Sequence, residues 1–207
     1  MLLAFTLRVY RLGHQSFWYD EGQSYYFAHQ DSLGAMVDVI SDSDHPPLYF
    51  ILLYLWMSVA GLSEFALRFT ALFWSVLLVP LVYLLGRRAF GTGAGIAAAL
   101  LMAISPFHVW YSQEARMYTL ATFLSLLSSY LLLRALQKGQ PSVWLAYTLA
   151  ALAAPYAHLY ACFVLFFQGL FVLLWAWRSR PRSATDRPAR ARSSSTVTVS
   201  QSELHSW

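Results

Sequence analysis

Charge is what this sequence has least of. Of its 207 residues only 12% are charged while 58% are hydrophobic, against roughly 25% charged in an ordinary soluble domain. That shortage excludes a water-soluble globular protein, which would have too little polar surface to stay dispersed. Cysteine occurs once, at Cys162, so no intramolecular disulfide can form. There is no His-Glu-x-x-His or comparable metal-ligand spacing and no glycine-rich phosphate cradle. The first seven residues lack the basic flank and small-residue cleavage site of a signal peptide. The net charge of +4 comes from the end of the chain, where Arg178, Arg180, Arg182, Arg187, Arg190 and Arg192 face only Asp186 and Glu203. The rest is neutral, and nothing in it argues for nucleic-acid binding.

Apolar segments are what remain, and they predict an all-α integral membrane protein, a polytopic helical bundle. Residues 66–85, 94–110 and 117–133 each read as a span of about 20 residues or slightly less. Residues 143–177 are long enough for two helices, expected to break near Ala154-Pro155 because proline removes a backbone donor. Residues 48–62 are apolar but short, nearer to an interfacial segment than to a span. The apolar start reads as the outer end of a first membrane helix, with Arg8 and Arg11 snorkelling into the headgroup layer. Together with the change of composition after Trp177, it suggests a chain truncated at both ends. Residues 1–177 form the expected membrane domain, and 178–207 read as a disordered basic tail rich in Arg, Ser, Pro and Ala.

The basic clusters Arg87-Arg88, Arg134 with Lys138, and Arg178 onward mark the cytoplasmic ends. Counting outward from them puts Glu114 and Arg116 outside. Asp20-Glu21 join them there if residues 48–62 stay at the outer surface, which their shortness favours. An external loop of about residues 13–65 results, carrying one or two short juxtamembrane helices between Gly22 and Ile40 and interrupted near Ser32–Gly34.

Two stretches set carboxylates among aromatics at the edges of apolar segments: Phe17-Trp18-Tyr19-Asp20-Glu21 and Tyr111-Ser112-Gln113-Glu114-Ala115-Arg116-Met117-Tyr118. Charges so placed cost free energy unless they meet water, a partner or a substrate. With His45-Pro46-Pro47-Leu48-Tyr49, Arg68 at the head of the next helix, Gly86-Arg87-Arg88-Ala89-Phe90-Gly91 and Ser105-Pro106-Phe107, their order over about 120 residues resembles the GT-C glycosyltransferases. The likeness is to the bacterial-type glycosyltransferase 39 and protein O-mannosyltransferase-like group.

The resemblance implies a multi-pass bacterial plasma-membrane enzyme with its site at the outer face. Such an enzyme moves a hexose or pentose from a polyprenyl-phosphate donor to a hydroxyl of an acceptor glycan, lipid or protein. Asp20 is then the general base, with capping of a helix that begins near Glu21 as its other reading. Glu21 orients Asp20 or binds acceptor, or else only favours a helix N-terminus. Arg116 suits a phosphate, its planar fork matching two oxygens, or forms an ion pair with Glu114 or Asp20. Glu114 positions acceptor or shares a divalent cation with Asp20, the cofactor otherwise being undefined. His45 contacts phosphate or shapes its loop, and Tyr118 stacks on sugar or anchors the interface. His108 and His158 read as isolated structural histidines. A transporter or scaffold, or an inactive fragment, are the competing classes. Acids at segment ends, with no internal repeat, disfavour transport.

Overall fold

The computed structural model describes residues 1–178, so the expectation of a disordered tail lies outside the described residues except for Arg178. The described residues are helical throughout, with no strand: α1 (Leu2–Val9), α2 (Tyr19–Ala28), α3 (Leu33–Ser41), α4 (Leu48–Ala60), α5 (Glu64–Phe90), α6 (Thr92–Ile104), α7 (Pro106–Ser112), α8 (Tyr118–Lys138), α9 (Pro141–Ala157) and α10 (Ala161–Arg178). The chain divides into a compact unit, Met1–Gly169, which carries everything described below, and a second from Leu170 onward.

Three helices, α5, α8 and α10, are long and apolar enough to cross a membrane, and the bent pair α6–α7 makes up to four. α5 has 27 residues, about 40 Å at 1.5 Å per residue, against about 30 Å of hydrocarbon. Its start is fixed by Ser63, whose hydroxyl accepts from the Ala66 N–H at 3.2 Å. Its end is fixed by Gly91 at φ 94°, a backbone that disfavours any side chain. α4 has 13 residues, about 20 Å, short of a full span.

α5 and α6 form a close hairpin. A Cβ on Gly95 would stand 2.8 Å from the Tyr83 carbonyl oxygen, and one on Gly86 would stand 3.1 Å from Gly95 Cα. Gly95 makes this close approach, while Gly93 faces open space. At that same end, Arg88 donates to Gln137 and lies over the Tyr130 ring. α8 and α9 pack side by side beyond it, tied near mid-length by Gln168 of α10. Its amide donates to Ser128 and Ser129 Oγ at 2.8 and 2.9 Å and accepts from the Tyr147 hydroxyl.

At the opposite end, α2, α3 and α4 lie over the bundle. Ser32 starts α3 by accepting from the Ala35 N–H at 3.1 Å, so the expected interruption is a cap. Met36 and Ile40 of α3 point inward four residues apart, as do Tyr49, Leu53 and Met57 of α4. They join Phe27, Phe50, Leu67, Met117, Leu120 and Ala157 in one buried core. This core, worth roughly 1.5–3 kcal/mol per large side chain removed from water, seats the polar segments on the membrane helices.

Three expectations are corrected. The segment read as one helix over 94–110 breaks at Ser105, where Pro106 starts α7 and the axis turns by 57°. The break in 143–177 falls at His158–Tyr160 instead of Ala154-Pro155. Pro155 sits inside the last turn of α9, and the helix ends where His158 becomes extended at φ −160°. Arg8 does not snorkel. It is fully buried, and its Nε–H donates to Ser75 Oγ at 2.7 Å.

Candidate active site

The two acidic stretches meet. Asp20 and Glu21 lie in the first turn of α2, which begins at Tyr19 with Trp18 at the capping position. Asp20 is therefore one residue inside the helix and does not cap it, contrary to that reading. Its carboxylate is half-buried and makes no hydrogen bond among the described residues. Its main-chain oxygen accepts from Arg116 Nη1 at 3.0 Å.

Glu21 turns the other way, into the protein, and is 1% exposed. Oε1 accepts from Arg68 Nε at 2.8 Å and from the Ala115 N–H at 2.9 Å. Oε2 accepts from Arg68 Nη2 at 2.7 Å and, at 3.4 Å, from the Trp18 N–H. This fork-to-fork pair is the one ion pair among the described residues. Arg68 also donates to the carbonyls of Leu12, Gln15 and Ser16, fixing the approach to α2. One buried carboxylate thus ties α2, α5 and the 113–117 loop together, and no acceptor position is left on it for a substrate.

Arg116 is 5% exposed and, among the described residues, forms no ion pair, neither with Glu114 nor with Asp20. Nη1 meets only neutral oxygens: the Asp20 carbonyl, Ser24 Oγ at 3.3 Å and Gln23 Oε1 at 3.5 Å. Its Nε is buried without a partner. The guanidinium carbon stands 5.8 Å from the centre of the Tyr118 ring. Unlike a guanidinium whose donors are all taken, this one keeps a buried donor, Nε–H, to offer an anion.

Glu114 is 9% exposed and accepts from Trp110 Nε1 at 2.6 Å. Burial holds its carboxyl above the ordinary range, with Glu21 and Asp20 pushing the same way and the Trp110 bond and Arg116 opposing. His45, in the loop before α4, packs against Phe27 and Phe50, with ring centres 5.7 and 5.9 Å away. Burial and then Arg116 lower its pKa, while Asp44 and Asp20 pull it back.

His158, dismissed from the sequence as isolated, belongs to the same group. Its ring centre is 6.0 Å from that of Tyr118, and burial, His45 and Arg116 lower its pKa. Nδ1 accepts from the Tyr160 N–H at 3.3 Å, which leaves the ring proton on Nε2. The only sequence signal for it was position, at the turn between two apolar runs that must return to the same end as Tyr118. Arg68 was quoted as part of a motif, but nothing in one sequence pairs it with Glu21. His108 stays apart in α7, its ring packed on Phe107. No three His, Cys, Asp or Glu side chains converge as metal ligands among the described residues.

Short helices, acids and a buried arginine gather at one end of a bundle of apolar helices, and sequence comparison makes the chain a GT-C superfamily membrane protein. The dolichyl-phosphate-mannose-protein mannosyltransferase family matches residues 44–186, and the chain belongs to that family. It is also 34% identical over 148 residues to the Bacillus subtilis (strain 168) protein named "Putative mannosyltransferase YycA". That match takes in 66% of this chain, which spans a fifth (20%) of the length of this relative. No solved structure matches the chain.

Proposed function

We propose that this chain carries the reaction end of a glycosyltransferase that moves a sugar from a polyprenyl-phosphate donor to an acceptor hydroxyl, inverting the anomeric centre. The observation that carries the reading is Arg116, a buried cation bonded only to neutral oxygens among the described residues, one of them the main-chain carbonyl of Asp20, whose own carboxylate is unbonded. The donor phosphate supplies the missing anion. The acceptor hydroxyl attacks the sugar carbon as its bond to the phosphate oxygen breaks. The hydroxyl proton passes to Asp20, and the leaving phosphate keeps the bonding electrons beside Arg116. His45 and His158 flank the phosphate, Tyr118 backs it, and Glu114 faces the acceptor. Glu21 serves by position, holding the first turn of α2 through Arg68.

An apolar cavity of about 310 Å3 between α4 and α5, lined by Tyr49, Leu53, Trp56, Phe69, Phe73 and Trp74, suits part of an isoprenoid tail. Basic Arg87, Arg88, Arg134 and Lys138 lie at the opposite helix ends, which supports an external site and a cytoplasmic tail by the positive-inside rule.

The test uses the full-length protein in membranes with polyprenyl-phosphate-linked mannose, following transfer and donor binding separately. Asp20→Asn is expected to lower transfer by about 10²–10⁴-fold while donor binding persists. Arg116→Lys, which loses the planar fork, is expected to weaken donor binding. Full transfer by Asp20→Asn ends the assignment.

A further inference from the structure

We infer that Arg8 and Gln113 form a reciprocal clasp that sets the bend between α6 and α7 and so places Arg116 against Asp20. In a continuous helix the carbonyl of residue 102 accepts from the N–H of residue 106, and that of 103 from 107. Proline has no N–H, and the chain restarts as α7 with Pro106 at its first position, so both carbonyls lose their partners. Those two carbonyls are the ones Arg8 takes. Nη2 donates to the Met102 oxygen at 3.0 Å and Nη1 to the Ala103 oxygen at 3.0 Å.

The exchange runs both ways. α1 ends at Val9, leaving its last carbonyls open, and the Gln113 amide donates to the Arg8 oxygen at 3.0 Å and the Tyr10 oxygen at 2.8 Å. The α6 carbonyls left open at the bend are thus satisfied by a side chain of α1, and carbonyls at the end of α1 by the residue that closes α7. Ser75 ties the same guanidinium to α5 at 2.7 Å. Among the described residues Arg8 has no carboxylate partner and bonds only neutral oxygens, so its charge is held inside the bundle for the sake of its donors. A lysine offers three donors from one point and cannot span these acceptors. Gln113 immediately precedes Glu114, Ala115 and Arg116, the residues that face α2. Arg8 is thus a positioning residue for the site, acting at a distance through the bend.

This inference rests on the Asp20–Arg116 reading for its consequence, and its first readout is independent of activity. Spin labels are placed on exposed Tyr26 of α2 and Phe107 of α7, in a Cys162→Ser background of the full-length protein in bilayers. A single narrow distance distribution is expected. Arg8→Lys and Gln113→Leu should each broaden or shift it, and the double variant should go no further than the larger single. In transfer assays each should lower kcat/KM for the donor by about tenfold or more, as misplacement of reacting groups does. An unchanged distribution in both variants, or effects that simply add, overturns the clasp. If Arg8→Lys does not fold, Gln113→Leu decides alone, since it removes the clasp from the half-buried loop. A shifted distribution in a protein whose unaltered form transfers no sugar leaves the clasp standing and removes the transferase reading.

Discussion

Glu21 and Arg68, 47 residues apart, meet through two parallel bonds of 2.8 and 2.7 Å, and both side chains are at least 94% buried. Removing either partner strands the other as a buried charge, which costs about 3–5 kcal/mol. Glu21→Gln and Arg68→Met should each lower the melting temperature of the solubilised protein sharply. The double variant should lose less than the sum, because no charge is then left alone. Additive losses would mean that the two side chains act separately.

Glu114 is held protonated more readily than a free carboxyl, first by burial. Its folded pKa lies above the ordinary 4.5, so the stability its neutral form contributes is present below that value and lost as pH rises through the folded one. Glu114→Gln keeps an acceptor for Trp110 Nε1 and removes the ionisation. It should raise Tm at neutral pH and leave it nearly unchanged at about pH 4. A drop in Tm at neutral pH would show that the charged form is the stabilising one.

His45 and His158 behave oppositely. Burial and the Arg116 charge depress both below the ordinary 6.5, so the unfolded chain takes up these protons first on acidification. Stability is then complete above that value and is lost as pH falls toward the folded ones. Melting curves should fall in Tm between about pH 7 and about pH 5. Replacing both histidines by glutamine should flatten that limb, and an unchanged slope would assign it to other groups.

Gly95→Ala forces a methyl to within 2.8 Å of the Tyr83 oxygen and 2.9 Å of the Arg87 nitrogen, both backbone. Overpacking of this kind costs typically about 1–3 kcal/mol. Gly93→Ala meets nothing within 4 Å and should be neutral or slightly stabilising through helix propensity. Equal effects of the two substitutions on Tm would remove the α5–α6 contact as their cause.

Much of this architecture was legible because apolar length is a strong signal. α5 and α8 needed only their runs of Leu, Phe and Val, and Ser32 announced the break before α3. Prolines were harder to read. Pro106 stands at the first position of α7, where the chain has already left α6, while Pro155 is carried inside α9, whose ladder lacks one N–H there. Asp20, Arg116, His45, Glu114 and Tyr118 were singled out by two acidic stretches in apolar surroundings together with the family resemblance, and the fold brings them to one end. Three relations lay beyond a single sequence. Glu21 needed Arg68, Arg8 needed the carbonyls released at Pro106, and His158 needed the return of α9 beside Tyr118. Each is a contact across 40 or more residues, and periodicity carries no information about partners at that range.

The Glu21 carboxylate has a consequence for synthesis. Its second set of donors arrives with Arg68, and its last, the Ala115 N–H, 94 residues after it. At 5–20 residues per second the ribosome needs about 5–20 s to deliver that final donor. Throughout that interval the acidic turn has to wait in water beside a partly inserted bundle. The Glu21 contacts are therefore completed only once residue 115 is made, and a nascent chain halted before it would leave Glu21 open to an outside reagent.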